Sequence, residues 1–132
     1  VIIFDLILIA FTIWEFIFSA ESVTREVLFA GVTLYMLIGN IFTPLYFLVN
    51  AFVRVGTGED GFGLHTQELA ITWQRMYYFS FTTLTTLGYG DITPVSPFAE
   101  PFVTAEAIIG VMYVAVLMAR LVSLYDKEEG GL

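Results

Sequence analysis

The residues of this chain best suited to handling an ion lie together in Thr85-Thr86-Leu87-Gly88-Tyr89-Gly90-Asp91. A dehydrated alkali cation needs a cage of hard oxygens to replace its water. Threonine brings a carbonyl and a hydroxyl in one residue. Glycine reaches positive φ at little cost, so successive carbonyls can point the same way. The stretch therefore offers a ladder of carbonyls from Thr86, Leu87, Gly88 and Tyr89, with the Thr86 hydroxyl at its inner end and Gly88 and Gly90 shaping the backbone. One strand cannot surround an ion, whereas four can. The chain contains a single copy of the stretch, so this chemistry calls for a homotetramer with fourfold cyclic symmetry.

Such a ladder must be positioned, and composition says in what solvent. The 132 residues are 58% hydrophobic and only 14% charged, outside the ordinary soluble range. Val27 through Val53 carries no charge, and Phe102 through Tyr125 carries only Glu106 and Arg120. A bilayer core needs ~20 apolar helical residues, so both segments can span it. Val1 to Ser19 is a third span, weakened by Asp5 and Glu15, which should face protein, water or the membrane edge. The chain reads as an integral membrane protein lodged in a lipid bilayer.

Between the two stronger spans, Trp73 to Leu84 forms a shorter apolar and aromatic helix. At helical rise it covers roughly 18 Å, about half a bilayer, so it enters and must return. Non-helical backbone at membrane depth survives only when buried in protein or lining a water-filled path. Residues 85–91 have to be that backbone. The expected fold class is all-α membrane: an outer helix, a re-entrant pore helix with its filter, and an inner helix, preceded by one additional hydrophobic helix.

In chain order, residues 1–24 form the N-terminal hydrophobic helix and a polar link. Residues 25–126 form the pore unit: outer helix 26–53, loop 54–72, pore helix 73–84, filter 85–91 and inner helix 101–125. Residues 127–132 are a polar tail. Thr24 is the expected N-cap of the outer helix, with Glu26 in its first turn. Pro44 removes the donor that would bond the Asn40 carbonyl and favours a kink. Thr72 is the expected N-cap of the pore helix, and Pro101 suits the first turn of the inner helix. The glycine-rich, charged loop after residue 54 reads as exposed, and His65 within it as simply solvated. The first residues lack a basic region and a small-residue cleavage site, so they do not read as a signal peptide; the chain reads as a piece of a longer one.

Thr86-Leu87-Gly88-Tyr89-Gly90-Asp91, preceded by an aromatic and threonine helix, resembles the signature of potassium channels. There the pattern is usually Thr-Val-Gly-Tyr-Gly, and Leu87 stands in place of the valine, a position that contributes its carbonyl. The resemblance covers roughly residues 26–125 and is nearest in layout to prokaryotic two-helix channels and the pore modules of two-pore-domain channels. It implies K+ as the permeant ion, with no organic cofactor and no catalysis. It also implies a cell-membrane location, with the filter and glycine-rich loop outside and the C-terminus cytoplasmic.

The resemblance assigns further residues. Tyr78 falls where many relatives have a tryptophan bonded to the aspartate after the filter, so its hydroxyl is expected to reach Asp91; the alternative is a plain interface aromatic. Thr82 occupies the position where some relatives carry a glutamate behind the filter. Gly110 matches a gating hinge, or else a close helix crossing. Gly110, Val114, Met118 and Val122 share one face, which lines a cavity or packs on the outer helix. Val122, Ser123 or Asp126 would lie near a cytoplasmic constriction. Arg120 is expected to snorkel or to pair with Glu128 or an upstream acid. On the outer side Glu59, Asp60, Glu68, Asp91 and Glu100 outweigh Arg54 and Arg75, a field that concentrates cations. Arg25, Arg120 and Lys127 on the other side agree with the positive-inside trend.

Other classes fall away. A net charge of −8 argues against nucleic acid as a partner. With no cysteine there is no disulfide framework or thiolate metal site. Val1 to Ser19 has no Arg or Lys and is not a voltage sensor. Three rivals stay open: a weakly selective cation pore, a subunit of a potassium-uptake transporter, and a membrane anchor or assembly subunit that conducts nothing.

Overall fold

The computed structural model describes residues 2–65 and 70–130, with residues 126–130 as backbone only. It is mostly helical: α1 (Ile2–Ser19), α2 (Arg25–Thr57), β1 (Phe62–Leu64), α3 (Trp73–Leu84), β2 (Ile92–Pro94) and α4 (Glu100–Gly130). Three helical stretches, Ile2–Ser19, Arg25–Thr57 and Glu100–Tyr125, are long and apolar enough to cross a membrane, with mean hydropathies of 2.1, 1.7 and 2.2. α3 is the short helix between the last two, and the backbone after it is non-helical to Asp91.

Several bounds differ from those expected. α2 continues through Pro44 and past residue 53 to Thr57, taking Arg54 into its last turn. α4 runs on to Gly130, so the expected polar tail begins as helix. Thr24 caps α2 as expected: its Oγ1 accepts the Val27 N–H at 3.4 Å. Thr72 does not cap α3. It holds the N-cap position in an extended conformation with no side-chain hydrogen bond, and only its carbonyl participates, accepting the Met76 N–H at 3.1 Å. Glu68, counted above among the outer acids, and the Asp126 and Glu128 side chains lie outside the described residues.

The chain divides into two compact units. The first holds residues 1–38 and 112–132. Its core is Ile17, Val27, Leu34 and Tyr113, with Ala10, Ile13, Leu117 and Leu121 packed around it. α1 meets this core along Ala10, Ile13 and Ile17, the three- and four-residue spacing of one helical face, and exposes Phe4, Leu8, Phe11 and Trp14 on the rest. Asp5 and Glu15 lie on the exposed part. The Tyr113 hydroxyl donates to the Gly31 carbonyl at 2.5 Å. Arg120 is held by backbone: its Nη2 donates to the Phe18 and Ala20 carbonyls, both at 2.7 Å, with the guanidinium 5.8 Å from the Phe18 ring centre. These carbonyls lie at the C-terminal end of α1, where orphan acceptors and the helix dipole attract a cation; the Glu128 side chain weighed as a partner is outside the described residues.

The second unit, residues 39–111, holds the filter stretch. Tyr46, Phe62 and Phe79 form an aromatic cluster with ring centres 5.2–5.5 Å apart. The loop expected to be unstructured contributes β1, paired antiparallel with β2 so that Phe62 faces Pro94 and Leu64 faces Ile92. His65 continues this pairing. Its N–H donates to the Asp91 carbonyl at 2.8 Å and its Nε2 lies 3.1 Å from Thr93 Oγ1. His65 is exposed, as expected, and it also ties the loop to the segment after the filter. Farther back, Asn50 accepts the Gly61 N–H at 2.7 Å and donates to Asp60 at 3.1 Å, and Asp60 lies 3.8 Å from Arg54.

Candidate functional site

The last turn of α3 holds the start of the filter stretch by its carbonyls. The Thr85 N–H donates to Phe81 O at 3.1 Å and Thr86 N–H to Thr83 O at 2.9 Å. Thr82 O accepts two N–H groups, from Leu87 at 2.8 Å and Gly88 at 3.1 Å. Thr82 shapes this backbone through its carbonyl, while its hydroxyl donates to Phe79 O at 3.0 Å. The helix ends by folding the following chain onto itself, so the filter stretch leaves α3 along a fixed path.

Beyond that point φ alternates in sign. Thr86, Gly88 and Gly90 have φ of 60°, 53° and 79°, with Leu87 and Tyr89 between them at ordinary negative values. Alternation of this kind turns successive peptide planes so that their carbonyls share one side. A Cβ added at Gly88 or Gly90 would meet nothing within 4 Å, so glycine is required there by backbone conformation and not by space. Thr86 is the surprise. A side-chain-bearing residue in the left-handed region costs roughly 1–2 kcal/mol, and such strain gathers where surroundings over-determine the backbone. The sequence signalled positive φ only at the glycines.

Every residue from Thr85 to Gly90 is exposed, Leu87 at 55% and Tyr89 at 66%. Behind this surface Tyr78 lies close enough to Asp91 to feel its carboxylate, and the Tyr78 and Tyr89 rings lie parallel, 6.3 Å apart. The structure thus brings Tyr78, Tyr89 and Asp91 together on one flank of the stretch.

On α4, Gly110 is buried against the end of α3. An added Cβ would come 2.1 Å from the Leu84 carbonyl oxygen, so glycine here permits a close approach of backbones. Val114, Met118 and Val122 are 49%, 55% and 55% exposed. Leu117, on another face of α4, packs against Gly31 of α2.

Sequence reasoning passed over Glu106, which it noted only as a charge within a span. It is fully buried. Tyr46 of α2 donates its hydroxyl to Oε2, and Ser80 Oγ of α3 lies 2.5 Å from Oε1 and 2.8 Å from the Gly39 carbonyl. A carboxyl group therefore does stand behind the filter stretch, supplied by α4 and not by the Thr82 position of α3. The available signal was an acid in the middle of an apolar span, which is costly unless partnered.

A helical membrane chain whose short central helix presents an alternating, solvent-open backbone has the build of an ion channel. Residues 2–127 match the family model described as "Ion channel", and the chain belongs to that family. Over 92 residues it is 32% identical to the inward rectifier potassium channel Kirbac3.1 of Paramagnetospirillum magnetotacticum, covering 70% of this chain and 31% of that one. Over 53 residues it is 46% identical to two pore potassium channel c of Oryza sativa subsp. japonica, covering 39% of this chain and 12% of that one. The chain thus spans less than a third of the length of either relative. No solved structure matches it. The resemblance to potassium channels drawn from residues 86–91 is therefore matched by similarity along much of the chain.

Proposed function

We propose that this chain is the pore of a potassium-selective channel, conducting K+ passively through a homotetrameric filter. The observation that carries the reading is the alternation of φ across Thr86–Gly90 on a wholly exposed stretch of backbone. Carbonyls left open on one side at membrane depth need water or an ion for a partner. Four copies around an axis would face the carbonyls of Thr86, Leu87, Gly88 and Tyr89 onto a dehydrated K+, with the Thr86 hydroxyl at the inner end. Gly88 and Gly90 permit the conformation. Thr82, Tyr78 and Asp91 hold it from behind. Leu87 contributes its carbonyl, so its departure from valine leaves the ladder whole.

In this reading residues 25–126 are the pore unit, with α2 outermost and α4 inside. The C-terminal end of α3, negative by its dipole, favours a cation beside it. The filter and the β1–β2 loop face outward with their excess of acids, and the end of α4 faces the cytoplasm. Both similar potassium channels are consistent with K+ as the permeant ion.

Reconstituted in liposomes, the protein is expected to take up rubidium down a potassium gradient and to show a reversal potential near that of K+ in mixed K+ and Na+. Near-equal permeabilities would instead make it a weakly selective cation channel. Absence of rubidium flux from a correctly assembled tetramer would make it a non-conducting membrane anchor or assembly subunit.

A further inference from the structure

Glu106 sits where α2, α3 and α4 of the second unit come together, and the protons available there can be counted. Three short oxygen–oxygen approaches meet at this site: Tyr46 Oη to Glu106 Oε2, Glu106 Oε1 to Ser80 Oγ at 2.5 Å, and Ser80 Oγ to Gly39 O at 2.8 Å. Oxygens approach this closely only with a proton between them. Tyr46 supplies one proton and Ser80 one. The Gly39 carbonyl has none, so the Ser80 proton must lie toward it. The approach between Glu106 and Ser80 then lacks a proton unless Glu106 carries it. An ionised carboxylate leaves three approaches with two protons, whereas a neutral acid closes the chain with Oε1–H donating to Ser80, Ser80 donating to Gly39 O, and Tyr46 donating to Oε2.

We infer that Glu106 is a neutral carboxylic acid that positions the filter, acting as a hydrogen-bond donor to Ser80 and an acceptor from Tyr46. The path to the conduction site is short. Ser80 stands in the last two turns of α3, immediately before the carbonyls of Phe81, Thr82 and Thr83 that accept the N–H groups of Thr85 through Gly88. Tyr46 is fully buried and ringed by Phe62 and Phe79, so the acceptor side of Glu106 is anchored in the same aromatic cluster that supports the loop. Full burial of the acid fits the neutral form, because a charge without a cation partner is expensive away from water. The three helices are thereby fixed in register around the end of α3.

This inference rests on the potassium-selective reading, and wild-type reversal potentials in K+ and Na+ test that reading first. Given a selective wild type, Glu106→Gln can still donate to Ser80 and accept from Tyr46, with one further N–H and no titratable proton. It should hold the K+ to Na+ permeability ratio within about twofold, whereas Glu106→Ala, which leaves the Tyr46 and Ser80 hydroxyls stranded, should lower it about tenfold. Infrared difference spectra of wild type against Glu106→Gln in neutral buffer should show the carbonyl stretch of a protonated carboxylic acid that is lost in the variant. If Glu106→Ala does not assemble, Ser80→Ala and Tyr46→Phe each remove one link at almost constant volume and should lower the ratio in its place. The inference is overturned if the protonated-acid band is missing from the wild type. It is equally overturned if Glu106→Gln is as damaging as Glu106→Ala, or if the variants that assemble keep wild-type selectivity.

Discussion

Replacing Gly110 with alanine separates two uses of one residue. As a hinge, Gly110 would lend α4 flexibility, and Gly110→Ala would stiffen the helix, adding up to ~1 kcal/mol of stability per chain through propensity. The structure gives the opposite sign. The new methyl would stand 2.1 Å from the Leu84 carbonyl oxygen, against 3.4 Å for ordinary contact, so α3 and α4 must part by about 1.3 Å in a close-packed interior. The obstacle is a backbone oxygen and cannot swing aside as a side chain would. Overpacking of this kind costs ~1–3 kcal/mol, which outweighs the propensity gain. Leu84 is also the last residue of α3, so the displacement is passed directly to the filter stretch. Expected outcomes are a melting temperature of the assembled protein lowered by about 2–8 °C and a reduced K+ to Na+ permeability ratio. A variant as stable as wild type, with unchanged selectivity and altered only in open probability, would refute the packing argument and restore the hinge.

Other perturbations read other parts of the site. Gly88→Ala meets nothing within 4 Å, so its cost is backbone strain of roughly 1–2 kcal/mol per chain; rubidium flux should be lost while the tetramer persists on size-exclusion chromatography. Tyr78→Phe deletes the hydroxyl beside Asp91 and should speed the decay of K+ current during sustained recording, with assembly unchanged; identical decay would leave Tyr78 a plain interface aromatic. Arg120→Ala removes two hydrogen bonds, one to Phe18 of α1 and one to Ala20 just after it, each charge-assisted and worth ~1.5–3 kcal/mol at most. It should increase protease cleavage between α1 and α2, with Arg120→Lys rescuing only partly because one ammonium does not reproduce the guanidinium fork. Exchanging K+ for Na+ should lower the melting temperature of the tetramer, since an ion bound by the folded state alone stabilises it by mass action.

Much of the architecture was legible in the chain because hydropathy is summed locally. An apolar run of a given length is a span whatever it later packs against, and α3 was marked by being too short to be one. Gly88 and Gly90 announced their conformation by lacking a Cβ. Thr86 could not, since its positive φ is imposed by the carbonyls at the end of α3. β1 and β2 escaped notice for a related reason: three-residue strands 30 positions apart carry no periodicity, and His65 acquires its partners only when they pair. Arg120 was expected to snorkel or to pair with an acid, and the carbonyls at the end of α1 that it reaches were not foreseen, since that contact depends on how the helices of the first unit are rotated.

The sequence by itself determined the solvent of this protein and the place of the non-helical stretch after α3. Those follow from transfer free energies and from what a backbone carbonyl requires at membrane depth. Only the tertiary structure decided what stands behind the filter. That Glu106, Ser80 and Tyr46, drawn from three helices, share one buried cluster is a matter of helix rotation and separation. Neither leaves a trace in the order of residues, because a side chain's partners across a helix interface are set by packing and not by its neighbours in the chain.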